Sequence, residues 1–274
     1  MKKMIAAQLW REYIEIWLDM LRAAGQSAET VATRRRQIGV ASRGLGGSPL
    51  STDRDRLLEW FAAQEWMPET RKGYRAALTG FFGWLRTSGR RQDDPSDVLP
   101  SVRRPKAHPR PCPDRVIIAA MGRATPAERL MIRLGCEAGL RRSEIAAVHS
   151  RDVTDDLVGK SLIVRGKGDR QRIVPLPGDL AQAVLDADGY LFPGRWGGHV
   201  EKSYVGRHLS RLLGRGWGPH SLRHRYTTRM YESTGDLYVV AELLGHESVE
   251  TTQRYVAMPS ERLRAGLKDV ILEA

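Results

Sequence analysis

Residues 161–176 read Ser-Leu-Ile-Val-Arg-Gly-Lys-Gly-Asp-Arg-Gln-Arg-Ile-Val-Pro-Leu. Ser161–Arg165 and Arg172–Leu176 alternate with a period of two, and Gly166-Lys167-Gly168-Asp169 lies between them as a turn. This is a β-hairpin, and it decides the fold class because almost everything around it is helical. Upstream, residues 126–148 form a helical stretch broken at Gly139. Downstream, helices are expected near 178–187, 200–213, 219–233 and 236–244, with another near 260–272. The second part of the chain, from about Pro113, is therefore mostly helical with a small antiparallel sheet.

The first part has no strand pattern. Trp10, Tyr13, Ile14, Trp17 and Leu21 recur three and four apart, so residues 6–24 form an amphipathic helix that Gly25 ends. Ser27 then fits as an N-cap, with Thr30 and an arginine run after it. Ser51 or Thr52 is the expected cap of a third helix carrying Leu57, Leu58, Trp60 and Phe61. A fourth helix runs from about Pro68 to Ser88, with Tyr74, Leu78, Phe81, Phe82 and Leu85 inward. These aromatic stripes read as core. Residues 93–113 break the pattern. Their six prolines exclude a continuous helix and favour an extended strap. The strap carries Arg103, Arg104, Lys106 and Arg110, and it suits either a path along a DNA groove or a solvated tether. The expected division is a helical domain over 1–94, a basic linker over 95–112 and a second domain over 113–274.

Composition bounds the partners. The chain of 274 residues is long enough for two cores, and its net charge is +12. Residues 1–100 hold 16 basic and 12 acidic side chains, and the rest hold 28 and 20, so both parts are positive. A distributed excess suits a protein that grips a polyanion. Two cysteines, Cys112 and Cys136, cannot build a disulfide framework or a four-cysteine zinc site. A reducing cytosol is the expected home. The apolar start is interrupted by Arg11, Glu12 and Glu15, and no run approaches the length of a membrane span.

Two local patterns mislead. Gly159-Lys160-Ser161 looks like the end of a phosphate-binding loop, but Thr154 stands where that loop needs a glycine, and a strand follows instead of a helix. His220 and His224 lie four apart, as zinc ligands can, but Ser221 replaces the glutamate of a metalloprotease helix and no carboxylate lies within 217–229. Neither an ATPase nor a metalloenzyme is expected.

Four other segments carry chemistry together. They are Gly-Leu-Arg-Arg-Ser-Glu at 139–144, Arg-Gly-Lys-Gly-Asp-Arg-Gln-Arg-Ile-Val-Pro-Leu at 165–176, His-Ser-Leu-Arg-His at 220–224, and Leu-Leu-Gly-His at 243–246 with Thr-Thr-Gln-Arg-Tyr at 251–255. Each alone is weak; the four in this order are specific. The chain resembles the tyrosine recombinase family, the integrase-like site-specific recombinases. The likeness is strong over about 136–258 and weaker over 1–100, which resembles the family's core-binding domain. By that resemblance Arg141, Lys167, His220, Arg223, His246 and Tyr255 fall on the six active-site positions.

The implied reaction makes chemical sense. A phosphodiester is anionic, and its transition state spreads charge over the phosphoryl oxygens. Two guanidiniums, Arg141 and Arg223, suit a clamp on those oxygens. Glu144 fits as an ion-pair partner that orients Arg141. Tyr255 is a weak acid, with a pKa of about 10, and neighbouring arginines favour its phenolate. His220 is placed by resemblance as acid or base, and Lys167, on its Gly-Lys-Gly turn, as donor of a proton to the leaving 5′-oxygen. His246 would bond the scissile phosphate or support the site; capping its helix is the alternative. The product is a 3′-phosphotyrosyl ester that a 5′-hydroxyl can reseal, so neither ATP nor metal is required.

The resemblance further implies a two-domain clamp on double-stranded DNA, with four protomers assembling on two sites and a monomer or weak oligomer when free. Arg34, Arg35, Arg36, Arg71, Lys72 and Arg75 are expected phosphate contacts in the first domain, and Arg170 and Arg172 in the second. An accessory DNA-bending or directionality protein is an open partner. The helix near 260–272 would pack on its own domain or insert into a neighbour, the latter being the family habit. The first helix begins close to Met1, so an arm-binding domain before it is not expected. Integration or excision of a phage or mobile element is the expected task; a type IB-like topoisomerase and a non-cleaving DNA-binding regulator are the alternatives.

Overall fold

The computed structural model describes residues 2–103, 109–166 and 171–245. It divides into two compact units, Met1–Lys106 and Ala107–Ala274.

The first unit is helical. Helix α1 spans Lys2–Ala23, α2 Ala28–Leu45, α3 Arg54–Ala62 and α4 Pro68–Thr87. Their apolar stripes meet in a core rich in rings: Trp10 stacks on Phe81 at 5.7 Å, and Trp17 meets Phe81 edge-on at 5.4 Å. Ser27 caps α2 as expected, its Oγ accepting from the Thr30 N–H. The cap of α3 is Asp53, not Ser51 or Thr52; its carboxylate accepts from Arg56 N at 2.8 Å. Thr52 instead turns inward and donates to Ser48 O at 3.0 Å.

The first residues of the expected strap are not extended. Pro95–Val98 form a 3₁₀ turn, because Asp94 accepts from both the N–H and the hydroxyl of Ser96. Leu99 is then buried in the first core, and Arg75 holds its carbonyl with Nε at 3.1 Å and Nη2 at 3.0 Å.

The second unit surrounds a small sheet. Helix α5 spans Asp114–Arg123 and α6 Pro126–Cys136. The latter opens with a capping box between Thr125 and Glu128. The short α7, Arg142–Ala146, follows the break at Gly139. Strands β1 (Val153–Asp155), β2 (Lys160–Arg165) and β3 (Gln171–Leu176) form an antiparallel sheet in the order β1-β2-β3. The hairpin register pairs Ile163 with Ile173 and Leu162 with Val174. Ser161 lies within β2, so the Gly-Lys-Ser segment does not open a helix. Four further helices follow: α8 (Gly178–Leu185), α9 (Lys202–Leu213), α10 (Pro219–Thr234) and α11 (Leu237–Leu244). The core runs from Ile132 and Leu134 on α6 through Val164 and Val174 to Leu209 and Leu222. Among the described residues, no helix is long and apolar enough to cross a membrane.

Candidate functional site

The site is built where α6 ends. Gly139 has φ +64°, and a Cβ there would stand 2.3 Å from the Tyr226 ring. Only glycine fits both demands. The turn presents the Gly139 carbonyl to Arg223 Nη1 at 2.6 Å and delivers Arg141 to the start of α7.

One turn on, Glu144 is buried. Its Oε2 accepts from the Arg141 backbone N–H at 2.8 Å, and its Oε1 from Arg141 Nη1 at 2.8 Å. Arg172 forks onto the same carboxylate, with Nη1 at 3.0 Å and Nη2 at 2.7 Å. Arg223 Nη1 stands 3.8 Å from Oε2. Burial alone would raise the pKa of Glu144. The hydrogen bonds and charge of Arg172, the Arg141 N–H and the charge of Arg223 outweigh it and hold the group at about 2. Three guanidiniums around one ionised carboxylate leave a local excess of positive charge. Arg141 carries that excess outward, since its side chain is 39% exposed while that of Arg223 is 1% exposed.

Helix α10 brings the histidine. His220 and Arg223 are three apart and share a face. The His220 residue is open to solvent on one side, yet its pKa lies below the ordinary 6.5, first through desolvation by its neighbours, then through the charges of Arg223 and Arg141. Its ring meets that of His224 edge-on at 4.7 Å. The helix is pinned from outside the site. Ser221 O accepts from Cys112 N at 3.0 Å, and Arg225 Nε donates to Asp114 Oδ1 at 2.8 Å. Cys112 and Cys136 are buried free thiols, which burial pushes up to about 11 and about 12. Among the described residues, no group of three or more His, Cys, Asp or Glu is placed to hold a metal ion.

The end of α11 closes the arrangement. A helix leaves its last carbonyls without internal partners. Here Leu243 O accepts from Arg172 Nε at 2.9 Å and Leu244 O from Arg223 Nη2 at 2.7 Å. Gly245 then takes a left-handed conformation, φ +62° and ψ 47°.

Of the sequence-derived candidates, Arg141, Glu144, His220 and Arg223 are therefore brought together. Lys167, Arg170, His246 and Tyr255 lie outside the described residues, as do Arg104, Lys106 and the segment near 260–272. Arg172 departs from the expectation of a DNA contact. It is 6% exposed, because position 172 shares the inward face of β3 with Val174 and Leu176. That alternation was the available signal for its role.

In the first unit, Arg36, Lys72 and Arg103 are exposed. Three other expected phosphate contacts spend donors within the unit. Arg34 bonds Gln37 Oε1 at 3.1 Å and Gly73 O at 3.0 Å, Arg71 bonds the carbonyls of Phe61 and Gln64, and Arg75 holds Leu99 O. Arg35 pairs with Glu15 on the surface.

Comparison with known proteins bears on the same region. Residues 115–262 match the phage integrase family model. The tyrosine recombinase XerD of Brucella suis biovar 1 (strain 1330) is 31% identical over 291 aligned positions, which cover 91% of this chain and 94% of the relative. The tyrosine recombinase XerC of Chromobacterium violaceum (strain ATCC 12472) is 29% identical, covering 92% of each. A lambda integrase tetramer bound to a Holliday junction shares the fold, with a TM-score of 0.70 and 17% identity over 87% of this chain and 77% of that one. The buried carboxylate and its arginines thus lie inside the matched segment, and the chain belongs to the phage integrase family, the site-specific tyrosine recombinases, which cleave and rejoin DNA.

Proposed function

We propose that Tyr255 is the nucleophile of this recombinase and that the arginine hub is its phosphate site. The observation that carries this reading is the charge arrangement: Arg141, Arg172 and Arg223 converge on Glu144, with His220 under the field of Arg141 and Arg223. Tyr255 Oη forms a bond to phosphorus while the bond from phosphorus to the 5′-oxygen breaks. The phenol proton passes to His220, which is neutral near pH 7 because its pKa is depressed. Lys167 gives a proton to the departing 5′-oxygen. Arg141 and Arg223 stabilise the charge on the phosphoryl oxygens, and His246 bonds or supports the phosphate. A 5′-hydroxyl from another strand then reverses the steps, so the phosphodiester is conserved without ATP.

We assign double-stranded core-site DNA as the substrate of both basic units. The working assembly is a homotetramer on two sites, in line with the lambda integrase tetramer on its Holliday junction. Integration or excision of a phage or mobile element is the finer task we assign. The relatives bearing the names XerC and XerD favour a second one, resolution of chromosome dimers at a host site. A nicked suicide duplex in EDTA tests the chemistry. The wild-type protein traps a covalent adduct and Tyr255→Phe binds without trapping. Tight binding with no adduct would sink the cleavage reading, and relaxation of supercoils without a preferred sequence would point to a topoisomerase. Mapping adducts across the host genome separates the tasks: an element boundary supports the first, a single host site away from any element supports the second.

A further inference from the structure

All three guanidinium nitrogens of Arg172 donate inside the protein. Both Nη atoms fork onto Glu144 at 3.0 and 2.7 Å, and Nε reaches Leu243 O at 2.9 Å. The same carboxylate holds Arg141 through its backbone N–H and its Nη1. Gly245 completes the fit: a Cβ there would lie 3.0 Å from Arg172 Cδ, so the bare glycine lets the arginine stem pass close to the helix end. One side chain thus joins β3, the start of α7 and the carbonyl end of α11.

We infer that Arg172 is a positioning residue for strand cleavage, holding in one register three segments that supply candidate catalytic residues. The inference rests on the catalytic reading above. Arg141 is the N-cap of α7, Lys167 precedes the first residue of β3 by four positions, and His246 follows Gly245 directly. No direct contact between Arg172 and DNA is required, and its burial argues against one. The guanidinium geometry is essential. A lysine would keep the charge but has a single nitrogen on a flexible stem, which cannot fork onto a carboxylate and reach a carbonyl on a second element. A misplacement of about 1 Å in a reacting group can cost ~10²-fold in rate.

The test compares wild type with Arg172→Lys in two measurements. The first is hydrogen exchange of the α11 amides in the free protein. The second is single-turnover cleavage of a nicked duplex whose core site the wild-type protein has selected from a randomised pool. Arg172→Lys should exchange faster across α11. At saturating DNA it should cleave on the order of 10²-fold more slowly, with an unchanged Kd. A chemical unfolding curve confirms that the variant is folded, and Glu144→Gln, which removes the other half of the fork, should show the same pattern. Cleavage at the wild-type rate overturns the inference. So does a loss confined to Kd, which would make Arg172 a DNA contact, and so does unchanged exchange across α11. The exchange arm is read whether or not the wild type forms an adduct. Failure of the wild type to cleave therefore refutes the catalytic reading alone.

Discussion

Glu144 is 3% exposed in its side chain and faces three guanidiniums, two of them almost fully buried. Buried arginines without a counter-charge are costly, so removing the carboxylate should cost more than its own bonds suggest. Glu144→Gln should lower unfolding stability by ~3 kcal/mol, read from a urea midpoint. The pH dependence has a definite sign. Unfolded, this glutamate titrates near 4.5; folded, at about 2. Its stabilisation is complete above 4.5 and is lost as the pH falls toward about 2. Wild type should weaken over that window, and Glu144→Gln should be flatter there. His220 gives a second profile. Its pKa lies below 6.5, so its neutral form persists into mildly acid solution. The acid limb of cleavage should have its midpoint below pH 6.5, and His220→Gln should remove that limb; a midpoint above 6.5 would contradict the role as proton acceptor. Arg141, His220 and Arg223 were legible through the motifs that carry the family resemblance, and Glu144 through its spacing of three from Arg141. Charge alone marks Arg172 as a DNA contact, whereas the alternation of β3 turns it inward.

Elements matter here mainly through their ends. The turn at Gly139 and the carbonyl end of α11 are far apart in sequence, yet Arg223 bonds both. Gly139→Ala would meet a positive φ and the Tyr226 ring together. The expected loss is at least ~2 kcal/mol in stability, measured by urea unfolding. Cleavage should fall even in the fraction that remains folded, since the turn aims Arg141. Long amphipathic elements such as α1 and α4 were visible in the sequence because their apolar stripes repeat over several turns. Some short ones, α8 and α11 among them, were visible as well, but others were not. Helix α5 follows a proline-rich segment, which hides its ten residues. Strand β1 has three residues, too few to show a period, and it exists because Val153 pairs with Leu162 of the hairpin. The turn at Pro95–Val98 depends on the Asp94 carboxylate, a local device that a count of prolines overlooks.

At the scale of the whole molecule, the basic excess is shared by both units, and much of it has structural work. Arg34, Arg71 and Arg75 staple the first unit, while Arg225 and Arg229 pin α10 to Asp114. Net charge therefore overstates the number of phosphate contacts. The salt dependence of DNA binding should be shallower than the count of exposed and buried arginines together would suggest.

The proposed reaction forms a covalent bond to one tyrosine among eight. Trypsin cuts after Arg254 and Arg262, so Tyr255 lies in the peptide Tyr-Val-Ala-Met-Pro-Ser-Glu-Arg, residues 255–262. Mass spectrometry of the trapped adduct, after nuclease trimming, measures where the DNA is attached. Peptide 255–262 should carry the nucleotide remnant through a 3′-phosphate on Tyr255, formed equally well in EDTA. A remnant on any other residue, or a 5′-phosphate linkage, would contradict the account.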